Sequence, residues 1–241
     1  MILAGNENAA RTHRRLDQIV ETLRAVLRSL RLSPRAASQL AIVTLAFVLG
    51  QPDSRSIMLG AGIAFVGEGL RIWSAGFGYR RGQISLRGPY RFVRYPYFLG
   101  TILLLAGVVV ASRSLVTALF AALVLTWFYQ RAVRRDEGRL AEALGPLYSM
   151  YKARVSAFMP QLLPAQLPAV PGDTQPFSLR LAVLRGRKRE LDVIIAMAAT
   201  FGLLFATSTL ADKRLWQGGV VLFVGLVMGF RFIYYRRSRA A

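Results

Sequence analysis

From residue 36 onward the chain alternates apolar runs with short polar connections. The runs cover residues 36 to 50, 57 to 76, 97 to 111, 114 to 130, 191 to 210 and 216 to 235. Each reads as a candidate membrane-spanning helix. A helix needs roughly 20 residues to cross a hydrocarbon core, so several runs must borrow flanking residues or sit where the bilayer thins. Ahead of them, residues 11 to 32 show a different pattern. Leu16, Ile19, Val20, Leu23, Val26, Leu27 and Leu30 recur at helical spacing, while Arg14, Arg15, Arg24, Arg28 and Arg31 fall largely on the other side. This predicts an amphipathic helix lying in the membrane interface, with a contact to a partner helix as the plainer alternative. The expected fold class is therefore all-α: a polytopic membrane helical bundle of about six transmembrane helices plus an N-terminal amphipathic interfacial helix.

Composition agrees with that pattern. The 241 residues are 54% hydrophobic and 18% charged, with mean hydropathy +0.39, too apolar for an ordinary soluble domain. The formal charge of +20 changes the picture only through its distribution. Basic residues number 7 before the first run, 5 in 77 to 96, 11 in 131 to 190 and 3 after 235, whereas the alternate connections hold only Arg55, Arg113, Lys213 and Arg214. Loops rich in Lys and Arg stay cytoplasmic, so six spans with both termini cytoplasmic fit the count, as in a bacterial inner membrane. The same distribution accounts for the charge without nucleic acid, for which no basic-aromatic module is evident. With no cysteine and His13 as the single histidine, thiolate metal sites, disulfides and Ser-His chemistry drop out, and no metal is expected. No signal-peptide h-region is expected in the first 30 residues.

Prolines 160, 164, 168 and 171 forbid a continuous helix in the long fourth connection. Four regions follow. Residues 1–35 form the interfacial helix, 36–160 a four-span core with a cytoplasmic helix, 161–190 a Pro-rich and basic connector, and 191–241 an appended transmembrane hairpin with a basic tail. Gly225 and Gly229 in the last run are spaced for close helix packing, and Arg231 snorkels from its end.

Three groups of residues carry candidate chemistry. Glu68 and Arg71, three apart inside the second run, share a helix face and neutralise one another. The stretch GPYRFVRYPYFLG, residues 88 to 100, sets Arg91 and Arg94 beside a helix start at Pro96, where free N–H groups and the dipole suit a carboxylate or phosphate. An aromatic belt with positive-inside arginines explains the same stretch without a ligand. Finally, residues 134 to 160 bring Asp136 and Glu137 with Leu140, Gly145, Tyr148, Tyr151 and Arg154. Paired carboxylates beside aromatic rings suit a cationic centre or a ribose diol, and salt bridges to Arg134, Arg135 or Arg139 are the alternative.

Together these last two stretches resemble the isoprenylcysteine carboxyl methyltransferase and phospholipid methyltransferase superfamily. That family's pattern runs GPYxxxRHPxYxG, then two helices, then EExxL, a Gly, two tyrosines three apart, a Val and a Pro. The chain supplies Gly88, Pro89, Tyr90, Arg94, Pro96 and Gly100, then Glu137, Leu140, Gly145, Tyr148, Tyr151, Val155 and Pro160. The preceding LRIWSAGFG, residues 70 to 78, is similar to the family's upstream span, and the resemblance covers about residues 57 to 160. It departs at three places: the family's histidine is Tyr95, its later tyrosine Phe98, and its first glutamate Asp136.

The resemblance implies an integral membrane enzyme that uses S-adenosylmethionine, with the cofactor entering from the cytoplasm and a lipid-like or prenylated acceptor arriving laterally among membrane lipids. It implies that Tyr90, Tyr95, Pro96, Tyr97, Gly100, Asp136, Glu137, Leu140, Tyr148 and Tyr151 enclose the cofactor, with Arg94, Glu137 and Arg154 nearest the chemistry. A carboxylate acceptor would be held by Arg94 or Arg154, an amine by Glu137 or Glu68. No Rossmann fingerprint is present. Carboxylate O-methylation is the leading expectation. Phospholipid amine N-methylation, a sterol-reductase-like NADPH enzyme, and a non-catalytic scaffold are the alternatives.

Overall fold

The structure, a computed structural model, describes residues 34–77, 86–168, 176–180, 182–183, 190–209 and 218–219. The expected interfacial helix, His13, nearly all of the sixth apolar run with Gly225, Gly229 and Arg231, and parts of two basic loops lie outside the described residues. The chain divides into two compact units, Gln39–Phe223 and Met1–Ser38 with Val224–Ala241. Only residues 34–38 of the latter are described, and the architecture below is that of the former.

Its elements are helical: α1 (Pro34–Leu49), α2 (Ser54–Gly76), a 3-10 turn (Gly88–Arg91), α3 (Pro96–Ser112), α4 (Leu115–Leu144), α5 (Pro146–Arg154) and α6 (Glu190–Ser208). Among the described residues α2, α4 through Glu142, and α6 are long and apolar enough to cross a membrane, and α1 and α3 are shorter apolar helices. Five of the six apolar runs thus coincide with helices, as expected of a membrane protein.

Local chemistry sets their ends. Asp53 caps α2 by accepting the Ser56 N–H at 2.7 Å, while Ser56 Oγ accepts the Asp53 N–H at 3.1 Å. Pro96 and Pro146 start α3 and α5, where a missing N–H leaves no bond unmade. Ser114 caps α4 through the Thr117 N–H at 3.2 Å. Between α4 and α5 the backbone turns at Gly145, whose φ of 50° glycine adopts without Cβ strain. The charged stretch after residue 130, expected as a separate helix, is a continuation of α4, so Asp136 and Glu137 ride on a rigid extension of a membrane helix.

The tightest contact is the antiparallel pair α2 and α3. Gly60 faces Gly107 and Gly67 faces Gly100; a Cβ on Gly67 would lie 2.6 Å from Leu104 N and 2.7 Å from Gly100 O. Without side chains at these points the backbones touch, which favours dispersion contacts between membrane helices. Ile42, Leu105 and Ala121 join α1, α3 and α4 in a second core. Outward, Met58, Leu59, Phe65 and Val66 on α2 and Leu115, Leu119, Leu123 and Trp127 on α4 are exposed, a surface suited to hydrocarbon. The fifth run, expected to be part of an appended hairpin, packs as α6 on α2 and α3. Earlier in the same connection the Ser178 N–H donates to Gly76 O at 3.0 Å, and the Phe177 ring lies tilted 5.7 Å from that of Phe77.

Candidate functional site

The segment before α3 is held in an unusual course. Gly88, at φ 56°, turns the chain where a Cβ would enter the Phe77 ring, and the 3-10 turn closes with the Phe92 N–H on Pro89 O at 3.0 Å. Residues 91–95 then pair with the stretch that follows α5. Arg94 N–H donates to Ser156 O at 2.9 Å, Tyr95 N–H to Ala157 O at 3.3 Å, Gln161 N–H to Phe92 O at 3.0 Å, and Ala165 N–H to Arg91 O at 2.9 Å. Pro160 and Pro164 prevent this stretch from coiling, so its free amides and carbonyls bond across the site as a strap.

The strap brings both sequence constellations together. Arg94 Nη1 lies 2.9 Å from Glu137 Oε1 and 3.5 Å from the Tyr148 hydroxyl. Lys152 Nζ holds the other oxygen, Glu137 Oε2, at 2.9 Å. The Tyr151 hydroxyl donates to Tyr90 O at 2.8 Å, tying α5 to the 3-10 turn. Behind these contacts Leu86, Tyr148, Tyr151 and Val155 form a buried cluster on which Leu140 packs. On the other side Tyr95 stacks on Phe158 at 6.0 Å and meets Phe98 edge-on at 6.1 Å, while Tyr129 packs on Phe158.

Three buried polar atoms here have no hydrogen-bond partner among the described residues: Arg94 Nε and the hydroxyls of Tyr95 and Tyr129. Buried polar groups are ordinarily satisfied, and an orphaned set around one ion pair suits a polar guest. Burial, followed by the neighbouring Tyr148 hydroxyl, pushes the Tyr95 phenol above its ordinary range, and burial does the same to Tyr151. Both hydroxyls stay protonated and are hydrogen-bonding groups, not bases.

Of the residues expected at the site, Arg94, Glu137, Tyr90, Tyr95, Tyr148, Tyr151 and Leu140 are brought together. Asp136, one residue before Glu137 on α4, is half-buried. Pro96 is buried at the first turn of α3. Tyr97 and Gly100 turn instead to α2: the Tyr97 hydroxyl accepts from Arg71 Nη2 at 2.7 Å, and Gly100 packs on Gly67. Arg154 is exposed and donates to Gln166 O at 2.6 Å, locking the strap and standing apart from the ion pair. The Glu68–Arg71 pair forms as its spacing predicts, at 3.0 Å. Sequence reasoning did not single out Lys152, Tyr129 or Phe158 for the site. Lys152 carried a signal, since it lies one helical turn beyond Tyr148 and on the same face.

No family model matches the chain, and no solved structure matches it. The chain is similar to the cobalt-zinc-cadmium resistance protein CzcN of Cupriavidus metallidurans, with 31% identity over 107 residues, 44% of this chain and 48% of that protein. The chain therefore matches about half the length of this curated relative.

Proposed function

We propose that the protein is an integral membrane methyltransferase that moves a methyl group from S-adenosylmethionine to a lipid-like or prenylated acceptor at the cytoplasmic boundary of the bilayer. In this reading it has six spans with both termini cytoplasmic, in a bacterial inner membrane. The observation that carries it is the meeting of the 90–95 and 137–151 segments at the Arg94–Glu137 pair, beside buried polar atoms that lack partners among the described residues.

The donor set suits the cofactor. Carboxylates at 136 and 137 match a cationic amino group or a ribose diol, and the rings of Tyr95, Tyr148 and Phe158 match an adenine or a sulfonium. When bound, the cofactor supplies an electrophilic methyl group for in-line displacement. The chain's own contribution is then alignment and exclusion of water. Arg94, held in place by Glu137, orients the acceptor. The cations Arg94 and Lys152 favour a carboxylate acceptor over an amine, which supports O-methylation above phospholipid N-methylation.

Purified protein in lipid nanodiscs, incubated with a lipid extract and isotope-labelled S-adenosylmethionine, should transfer label to an extractable lipid and lose this ability with Arg94→Ala. Binding of NADPH without binding of S-adenosylmethionine would replace this reading with the sterol-reductase-like one. Binding of neither would replace it with the scaffold. A second reading, a part in cobalt, zinc and cadmium resistance, is favoured by the similarity to CzcN. Among the described residues no group of three His, Cys, Asp or Glu is placed to hold a metal ion, so that reading does not draw on ligation within them. Growth of a strain lacking the gene, with each metal added, tests it.

A further inference from the structure

Outside the Arg94–Glu137 site, α2, α3 and α6 enclose a second charged cluster. Arg71 Nε lies 3.0 Å from Glu68 Oε2 as an ion pair but donates its hydrogen bond to Glu190 Oε2 at 3.2 Å, to which Nη2 also donates at 2.7 Å. Nη1 also donates to the Thr101 hydroxyl at 2.9 Å and Nη2 to the Tyr97 hydroxyl at 2.7 Å, and the Tyr97 ring packs 4.5 Å from the guanidinium carbon. Among the described residues one guanidinium therefore faces two carboxylates. Glu68 is 3% exposed and Glu190 fully buried. Both oxygens of Glu68, and Oε1 of Glu190, accept no hydrogen bond among the described residues. An ion pair with a surplus buried carboxylate is a costly arrangement in a membrane span, and carboxylate oxygens without donors add to that cost.

We propose that Glu68 and Glu190 bind one proton between them, giving a neutral chain of carboxylic acid, carboxylate and guanidinium that clasps α6 to α2. A proton needs no cavity, supplies a donor to the orphaned oxygens, and removes the surplus charge. The titratable and charged groups facing the pair among the described residues are Arg71 from α2 and Tyr97 from α3, with Glu190 itself coming from α6. Losing the proton leaves two neighbouring carboxylates in repulsion and loosens the helix that Glu190 begins. Helix α6 is then attached by a clasp that depends on proton occupancy.

Infrared spectroscopy of the full chain in lipid nanodiscs near neutral pH tests this. A protonated-carboxyl stretch should be present, should shift when glutamate but not aspartate carries a labelled carboxyl carbon, and should vanish in both Glu68→Gln and Glu190→Gln. Each variant leaves one carboxylate for one guanidinium. Absence of the band in the unaltered protein, or its survival in both variants, overturns the proposal; the first outcome needs no variant to fold. On raising the pH until the band disappears, hydrogen exchange across residues 190–208 should quicken by about tenfold or more, and should not do so in Glu68→Gln. Unchanged exchange while the band titrates away overturns the clasp.

Discussion

At the scale of single residues the Arg94–Glu137 contact does two jobs: it closes a local charge and it joins chain segments 43 residues apart. Truncating Glu137 strands Arg94 in a partly buried place, which costs about 1–3 kcal/mol, whereas truncating Arg94 leaves Glu137 with Lys152. Arg94→Ala and Glu137→Ala should each weaken S-adenosylmethionine binding about tenfold or more, and the double variant should lose much less than the sum. Isothermal titration of the four proteins measures this, and strict additivity would mean that the two residues act separately. Tyr95 permits a sharper statement. Burial raises its phenol above the ordinary range, so it keeps its proton throughout the pH interval in which the protein can be assayed. Tyr95→Phe should change the methylation rate without changing the shape of its pH profile. Tyr95→His, which introduces the imidazole found there in the methyltransferases whose pattern the sequence resembles, should add a titration near about pH 6–7. An alkaline limb that disappears in Tyr95→Phe would assign the hydroxyl a base's role instead.

At the scale of elements, helix existence was readable because apolar length and starting prolines report it directly. Register was not. A glycine in an apolar run signals equally a packing contact or mere tolerance, and only the fold distinguishes Gly67, against α3, from Gly62 and Gly69, which face open space. Gly67→Ala and Gly107→Ala should destabilise by about 1–3 kcal/mol through overpacking, whereas Gly62→Ala should be neutral or gain up to about 1 kcal/mol in helix propensity. Thermal unfolding in one detergent compares them. Similarly, composition divides α4 at residue 130, although helix propensity does not: the Arg, Glu, Ala and Leu that follow are good helix formers. Tyr97 was assigned to the site by motif, yet one helical step of about 100° separates site from α2 face, and a motif does not resolve it. Glu190 was invisible as a partner of Arg71 because 119 residues lie between them. The start of α2 offers a pH test. The Ser56 N–H holds the Asp53 carboxyl below its ordinary range, with Arg113 adding to the effect. Because its folded value is depressed, the stabilisation is present above the unfolded value of about 3.9 and is lost as pH falls through the folded one. Asp53→Ala should lower the melting temperature at neutral pH and flatten its acid-side decline; parallel declines would leave the cap without a measurable contribution.

At the scale of the whole molecule, the two ends of the α2–α3 pair differ in kind. The 23 residues of α2 rise about 34 Å, enough to cross a hydrocarbon core of about 30 Å. One end carries Asp53 and Arg113 in two short loops. The other carries Arg87, Arg91 and Arg94, with Lys152 and Arg154 on α5 beside them, and holds the ion pair, the strap and the orphaned hydroxyls. Basic residues ordinarily mark the cytoplasmic side, so charge asymmetry and site share an end, where the proposed reaction would bring a water-soluble cofactor to an acceptor dissolved in lipid. The chain has no cysteine, which makes this orientation directly measurable. With single cysteines at the exposed positions Gln51 and Ser149, an impermeant thiol reagent applied to intact cells should label Gln51→Cys and spare Ser149→Cys until the membrane is opened. The reverse pattern would set the Arg94–Glu137 end outside, away from cytoplasmic S-adenosylmethionine, and the methyl-transfer reading would fall even if the purified protein bound the cofactor.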